Sequence, residues 1–331
     1  MKYVLTIFLF FILTSLYVNF NLFDSYLLQT DLITEINSKT LKRSTLIKLN
    51  KLNTQLPNVT MTSLPFAPIH ASYKLAFGEP LEAIDKLNEK VNDNNYIVYR
   101  EAMKSQVYYE LKVLDSSLFY AKKAYLKIPQ NPFHFERLVI AYAYKNQSDS
   151  IVKYFNLFNH EDIAIWKLFL SSFLANDSLK KTDDVFFIAN KAKKKFPNSQ
   201  DIAVFSNAIN YGLENVKLAS ELSAQGEAAY NESDFKNAAE LFEKASQKNP
   251  GVYTNFENVA SSYLELKDYE KALEYSSIVL DSFNIKLGKS EFIKALSLNH
   301  IGENEQACTL IKLSAKRGFK NAYPFIEKFC N

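Results

Sequence analysis

The chain has 331 residues, and its 47% apolar and 14% aromatic content is enough for a buried core and argues against a disordered chain. Its 7 Gly and 9 Pro are too few for the many turns of an all-β sandwich or a Rossmann-type enzyme, which favours helices. The 39 basic and 36 acidic residues leave a net charge of only +3, not the concentrated basic field of a nucleic-acid-binding protein. We therefore expect no nucleic-acid partner.

The first predicted element is a membrane anchor over residues 1–23. The 21 residues from Tyr3 to Phe23 carry no charge, and about 20 apolar residues suffice to cross a bilayer as a helix. Lys2 precedes this run, whereas Asp24 and Asp31 follow it, so the positive-inside rule places the N-terminus in the cytoplasm. The sequence thus predicts a single-pass inner-membrane protein whose bulk lies in the periplasm.

Two other interpretations of the apolar run are a cleaved signal peptide and a buried helix of a soluble protein. Signal cleavage needs small residues near the site, yet the first Ala is Ala67 and the first Gly is Gly78. Lipoprotein processing needs a Cys after the run, and the first is Cys308. An uncleaved anchor is therefore the favoured interpretation. Residues 24–63 fit no repeat but contain helical patches, so we expect a helical stalk there.

One spacing recurs along the rest of the chain, where an Ala is followed five residues later by a Pro at the end of a charged, amphipathic run. The pairs are Ala124 and Pro129, Ala192 and Pro197, and Ala245 and Pro250. The first two prolines lie 68 residues apart, twice the 34-residue period that is typical of tetratricopeptide repeats. Each such unit is a pair of antiparallel helices with small residues at the crossing and a proline after the second helix.

This register predicts an all-α, tetratricopeptide-like superhelix (an α-solenoid) of helical hairpins that follows the transmembrane helix. We expect degenerate hairpins over residues 64–199, a helical insert over 200–218, and clearer units with a capping helix over 219–331. The predicted units begin at Leu64, Val98, Pro132, Trp166, Ala219, Tyr253 and about Gly288. The small and aromatic positions in register, such as Ala238 and Phe242, are interpreted as core residues.

The repeat pattern resembles the tetratricopeptide family from about Leu64 to Asn321. The stretch DSSLFYAKKAYLKIPQNPFHFERL, Asp115 to Leu138, is similar to the extracytoplasmic repeat tail of O-antigen ligase–type proteins of Bacteroidetes. The stretch from Leu52 to Leu87 resembles the segment just before that tail. Those enzymes work in a membrane domain of many helices, whereas this chain has one predicted span. None of their catalytic residues therefore has a counterpart here.

Motifs of chemistry are missing from the sequence. No two of the histidines have the spacing of a zinc-binding helix, and no His-Glu-x-x-His, G-x-S-x-G, Gly-rich phosphate loop or Cys-x-x-Cys occurs. The four are His70, His134, His160 and His300. We expect no enzyme activity, no cofactor and no metal site, and a protein partner instead.

The candidate binding residues come from the first helices of the units, which would line a concave groove near positions 2, 5, 9 and 12. These residues are Tyr99, Gln106 and Tyr109; Ser223, Glu227 and Tyr230; and Thr254, Glu257 and Ser261. The alternative is that such tyrosines are solvated surface residues. In chaperone-binding clamps of the family, Lys and Asn at positions 5 and 9 hold a C-terminal carboxylate. Ser223 and Glu227 stand there in this chain, so the resemblance does not extend to that role.

The two cysteines, Cys308 and Cys330, both fall in the predicted C-terminal cap. An oxidising compartment favours a disulfide between them, and the alternative is two buried thiols that pack as small apolar groups. Two short stretches resemble the O-glycosylation signal of Bacteroidetes and are expected in turns between helices. They are Asp149-Ser150-Ile151 and Asp177-Ser178-Leu179.

Three hypotheses for the function follow. The first is an extracytoplasmic, membrane-tethered scaffold for protein–protein interaction that serves cell-surface polysaccharide assembly. The second is an accessory subunit or remnant of an O-antigen ligase–type enzyme. The third is a module that binds a glycan or another small molecule in an aromatic-rich groove.

Overall fold

The computed structural model describes residues 2–52, 59–60, 62–89, 96–283, 285 and 287–330. The predicted all-α fold of helical hairpins is confirmed, since 79% of the described residues are helical and none of them belongs to a β-strand. The helices are α1 Lys2–Ser38, α2 Arg43–Lys51, α3 Phe66–Ala76, α4 Pro80–Asn88, α5 Tyr99–Glu110, α6 Leu114–Lys127, α7 Pro132–Tyr144, α8 Ser148–Asn156, α9 Ile163–Ala175, α10 Asp183–Lys195, α11 Gln200–Tyr211, α12 Leu213–Asn231, α13 Phe235–Lys248, α14 Tyr253–Glu265, α15 Tyr269–Ser282, α16 Lys289–His300, α17 Asn304–Lys316 and α18 Tyr323–Cys330.

The chain divides into two compact units, an N-terminal unit of residues 1–181 and a C-terminal unit of residues 182–331. Part of the segment expected to form a stalk, residues 53–58 and 61, lies outside the described residues. Helix α12 begins at Leu213, so the expected boundary between insert and repeats at residue 219 falls inside one continuous helix.

The N-terminal unit starts with α1, a single helix of 37 residues. Among the described residues it is the one helix that is long and apolar enough to cross a membrane, a property that a signal sequence shares. No residue of its most apolar 18-residue window is buried. The side chains of Phe10 and Phe11, for example, are each 65% exposed.

The second half of α1 does not stand apart as a stalk but packs against α2 and the first hairpin. Leu28 and Leu32 share a core cluster with Leu46 and Leu49 of α2, and with three residues of α3: Phe66, Ile69 and Tyr73. Most of this apolar surface is therefore withdrawn from water, which favours a fixed arrangement of the three helices.

A buried carboxylate, Glu35, joins the same three helices and is only 3% exposed. It accepts hydrogen bonds from Thr45 Oγ1 at 2.6 Å, from the Lys42 N–H at 2.9 Å and from the Tyr73 hydroxyl at 2.9 Å. Burial by itself would raise the pKa of Glu35, but these hydrogen bonds hold that pKa below its ordinary value. Glu35 is therefore a fully satisfied, charged junction between α1, α2 and α3.

The hairpins that follow pack as the repeat register predicts, through small residues. Ala71 of α3 and Ala83 of α4 are fully buried in one cluster. In the next hairpin, Ser117 Oγ of α6 donates to the backbone carbonyl of Ser105 in α5 at 2.8 Å, and the two hydroxyl oxygens lie 3.4 Å apart inside the core. The first predicted glycosylation signal does not lie in a turn. Ser150 is inside α8 and Ile151 is buried, because its apolar side chain completes the inner face of that helix.

The C-terminal unit contains the clearest hairpins, α12–α13, α14–α15 and α16–α17, followed by the short helix α18. Ala238, Phe242 and Ala260 lie in one buried cluster that spans the first two hairpins. The last hairpin packs against α18, and a disulfide between Cys308 and Cys330 joins α17 to α18. The expected pairing is present in the structure, with the two Cα atoms 5.1 Å apart.

Candidate partner-binding groove

The C-terminal unit carries a groove along the exposed side of α12 and α14. Each of these helices buries one face against the second helix of its hairpin, and residues spaced by three or four then form a second face. Ser223, Glu227 and Tyr230 follow that spacing on α12. Two adjoining cavities open on this face, and both are lined by Glu227.

The first cavity, here called the polar pocket, has a volume of about 370 Å³. It is lined by Glu227, Tyr230, Asn231, Phe242, Asn258, Ser261 and Lys289. Lys289 Nζ lies 3.6 Å from the carboxylate of Glu257 and 3.5 Å from Asn258 Oδ1. Glu227 is exposed and forms no ion pair with any described residue. A cation and an unmatched carboxylate therefore line the same cavity.

The tyrosine of the polar pocket is held by its surroundings. The ring of Tyr230 packs edge-to-face on Phe235, with the ring centroids 5.2 Å apart. Burial, together with the neighbouring Glu265 carboxylate, raises the pKa of Tyr230. Its hydroxyl is thus neutral at physiological pH and can donate or accept a hydrogen bond.

The second cavity, here called the apolar pocket, has a volume of about 520 Å³. Its walls include Val204 of α11 and Leu213 and Val216 of α12, and the first two are about 40% exposed. Asn249 also lines it, is only 4% exposed, and its Oδ1 accepts no hydrogen bond from a described group. A buried acceptor without a partner costs free energy unless a ligand or water supplies a donor.

Five of the six residues predicted on this unit lie on the groove. Ser223, Glu227 and Thr254 line the apolar pocket, while Tyr230 and Ser261 line the polar pocket, which also shares Glu227. Glu257 is placed differently. It is 7% exposed and accepts a hydrogen bond from Ser290 Oγ at 2.6 Å, so it forms the wall behind the polar pocket.

The three candidates of the N-terminal unit lie on α5 and are described by themselves. Tyr99 packs on Phe133 with ring centroids 5.6 Å apart, and burial raises its pKa. The rings of Tyr109 and Tyr144 pack edge-to-face with their centroids 5.7 Å apart, and the Lys112 ammonium lies 5.0 Å from the Tyr109 ring centroid. Gln106 is half-buried. Tyr99 therefore contributes packing between hairpins, whereas Tyr109 is part of a small aromatic and cationic surface.

Several contributors to the groove were not on the predicted list, among them Val204, Asn249, Asn258 and Lys289. Lys289 occupies position 2 of the unit that begins at Gly288, so applying the same groove positions to that unit finds it. Asn258 is one residue beyond a predicted position, and Val204 and Asn249 come from outside the first helices. No sequence signal marks these three. Among the described residues, no group of three or more His, Cys, Asp or Glu side chains is arranged to hold a metal ion.

No model of a known protein family matches the chain, and no curated protein shows significant similarity to it. Solved structures with a similar arrangement of helices include the TPR2AB-domain–pHSP90 complex of yeast Sti1, at 14% identity, TM-score 0.31, and coverage of 70% of this chain and 96% of that one. A tetratricopeptide repeat protein from Parabacteroides merdae has 13% identity and a TM-score of 0.34, and the match covers 80% of this chain and 98% of that one. The P58(IPK) TPR domain has 8% identity and a TM-score of 0.36, and the match covers 92% of this chain and 99% of that one. The partner named for the yeast domain is a property of that protein.

Proposed function

We propose that this protein is a non-enzymatic scaffold, anchored in the inner membrane by α1, whose C-terminal unit binds a segment of a partner protein. The observation that carries this proposal is the groove in which the polar and apolar pockets adjoin and share Glu227. Specific peptide sites combine an apolar anchor pocket with a few placed polar groups, and this groove offers both.

The chemistry of the groove favours one class of partner segment. Val204, Leu213 and Val216 suit an aliphatic or aromatic anchor side chain. The exposed carboxylate of Glu227, at the junction of the pockets, attracts a Lys or Arg of the ligand. We infer that the ligand is a segment in which an apolar residue is followed closely by a basic one.

Cross-linking of the full-length protein in its membrane, followed by mass spectrometry, identifies the partner segment. The test is then made with Glu227→Lys, and Glu221→Lys on the exposed side of the same helix is the matched control, because Glu221 lines neither pocket. We expect Glu227→Lys to reduce partner recovery at least tenfold, and the control to leave it unchanged. Equal recovery by both variants would show that the partner binds elsewhere.

The membrane part of the proposal places residues 3–23 across the inner membrane and the repeats in the periplasm. It is supported by the exposed apolar side chains of α1 and by the charge difference between Lys2 and the Asp24 side. Extraction of membranes with alkaline carbonate, together with the mass of the mature N-terminus, separates a retained anchor from a cleaved leader. Protein released in soluble form with its first residues missing would refute the anchor.

A narrower form of the proposal assigns the scaffold to cell-surface polysaccharide assembly. It is supported only by the resemblance of residues 115–138 to the tail of O-antigen ligase–type proteins, and the accessory-subunit hypothesis has the same basis. Co-purification with a multi-spanning glycosyl-transferring membrane protein is the expected result. If the cross-linked partner has no role in polysaccharide assembly, the narrower form fails while the scaffold function stands.

A further inference from the structure

A third cavity, of about 350 Å³, lies between α1 and α2 in the N-terminal unit. It is lined by Asn21, Asp24, Leu27, Leu28, Lys48, Lys51 and Leu52. We propose that it binds the phosphoethanolamine headgroup of an aminophospholipid in the bilayer that α1 crosses. The inference rests on the membrane anchoring proposed above and adds to it a defined lipid ligand.

The depth of the cavity matches the headgroup layer. The apolar run from Tyr3 to Phe23 has 21 residues, and at about 1.5 Å per residue it spans about 31 Å, close to the hydrocarbon thickness of about 30 Å. Each headgroup layer adds about 5–7 Å, or roughly four helical residues. The layer on the far side therefore covers residues 24–27 of α1, and the α1 residues that line the cavity lie between Asn21 and Leu28.

Helix α2 returns antiparallel to α1 and brings its C-terminal lysines to the same depth. Near the start of α2, Thr45 bonds to Glu35, whereas one turn later Lys48 Nζ lies 2.8 Å from Asp31 Oδ2. Lys51 is another turn closer to the bilayer and shares the cavity with Asp24. Two lysines thus line the cavity from α2, and the carboxylate of Asp24 lines it from α1.

The charges around the cavity select a zwitterion rather than an anion. Asp31 already pairs with Lys48, while Lys51 and Asp24 are both exposed and form no ion pair with any described residue. Lys48 and Lys51 can donate to the phosphodiester oxygens, and the carboxylate of Asp24 can accept from a primary ammonium.

Other common headgroups fit this arrangement less well. A choline headgroup has no N–H to donate to Asp24, and a glycerol headgroup brings no cation to compensate that carboxylate. The side chains of Leu27, Leu28 and Leu52 offer an apolar contact for the glycerol backbone and the first methylenes of the acyl chains.

The test uses full-length protein in nanodiscs that contain equal amounts of phosphatidylethanolamine, phosphatidylcholine and phosphatidylglycerol. Lipids retained on the protein are counted by native mass spectrometry. We expect the wild-type protein to retain phosphatidylethanolamine in preference to phosphatidylcholine by roughly fivefold, the effect of one favourable surface charge interaction. Asp24→Asn should abolish that preference, and Lys51→Gln should lower phosphatidylethanolamine retention about fivefold.

The matched control is Lys42→Gln, which removes the same charge at the other end of α2, where the side chain is 68% exposed and does not line the cavity. It should behave as the wild type does. Equal retention of the three lipids by the wild type, preference for phosphatidylglycerol, or equal effects of Lys51→Gln and Lys42→Gln would each overturn the headgroup proposal. Carbonate extraction of the cell membranes that contain the same protein separates failure of the anchor from failure of the headgroup site. Release of the wild-type protein would refute the anchor itself, whereas retention without lipid preference would refute the headgroup site alone.

Discussion

At Gly226 of α12, helix propensity and core packing have opposite effects on the stability of a substituted protein. A Cβ atom placed there would lie 2.8 Å from Cε1, 2.9 Å from Cδ1 and 3.1 Å from Cζ of Phe242. Phe242 is 1% exposed and belongs to the core shared by the first two C-terminal hairpins, so a shift of its ring away from Gly226 would disturb that core. We therefore consider the substitution Gly226→Ala.

Helix propensity and packing predict opposite signs for this substitution. In a helix interior, Ala is favoured over Gly by about 0.8–1 kcal/mol, which would stabilise α12. Overpacking of a close-packed core costs about 1–3 kcal/mol, and three ring atoms within contact distance place the site in that class. The packing cost is the larger, so we expect a net loss of about 1 kcal/mol in the free energy of unfolding and a fall in Tm of about 2–4 °C for a unit of this size.

Thermal unfolding of the full-length protein in detergent, with hydrogen exchange read out in α12 and α13, measures this effect. Gln225→Ala, at an exposed position on the same helix, is the control and should change stability by no more than about 0.5 kcal/mol. With Phe242→Leu as background, Gly226→Ala should become neutral or stabilising because the ring is gone. A rise in Tm for Gly226→Ala in the wild-type background would refute the assigned crossing.

Three further results are expected. Ala238→Leu, at a fully buried crossing residue, should cost about 1–3 kcal/mol, whereas Glu227→Ala in the groove should stay within about 0.5 kcal/mol, and equal melting temperatures would contradict the register. Cys308→Ser, which removes the disulfide with Cys330, should lower the local free energy of opening of the last hairpin by up to about 3 kcal/mol, so hydrogen exchange should speed up there first. Two reactive thiols in denatured wild-type protein without reductant would refute the pairing. Hydrogen bonds hold the folded-state pKa of Glu35 below its ordinary value, so the stabilisation by Glu35 should be complete above about pH 5 and be lost as the pH falls through the folded-state pKa. Glu35→Gln should remove this acid dependence of hydrogen-exchange protection in α2. An unchanged pH profile in the variant would contradict the role of Glu35.

The features that could be predicted from the sequence are those fixed by neighbouring residues. The uncharged run from Tyr3 to Phe23 has the length and composition of a spanning helix whatever surrounds it. The spacing of Ala245 and Pro250 marks where a second helix packs closely and where it stops, because small side chains permit the crossing and Pro cannot continue a helix. The hairpin fold follows from this local register, and five of the six residues predicted on α12 and α14 line the two cavities.

Other features depended on how distant segments meet. Residues near Glu35 fit no repeat, and only the tertiary structure brings its carboxylate to Tyr73, 38 positions away, so that the segment after the span packs on the first hairpin. Ser150 was expected in a turn between helices, but it lies inside α8, where the following residue, Ile151, is buried.

The groove itself shows the same division between local and tertiary information. Successive residues of a helix are rotated by about 100°, so Glu257 and Asn258 on one turn point in different directions, and a repeat position alone cannot decide which faces the groove. The structure places the Glu257 carboxylate in the wall beside Ser290 and the Asn258 amide in the pocket with Lys289. The sequence by itself determined a membrane-length helix followed by helical hairpins. Only the packing of one hairpin on the next decided which polar side chains are buried as structure and which remain available to a partner, because burial is set by residues that are far apart in the chain.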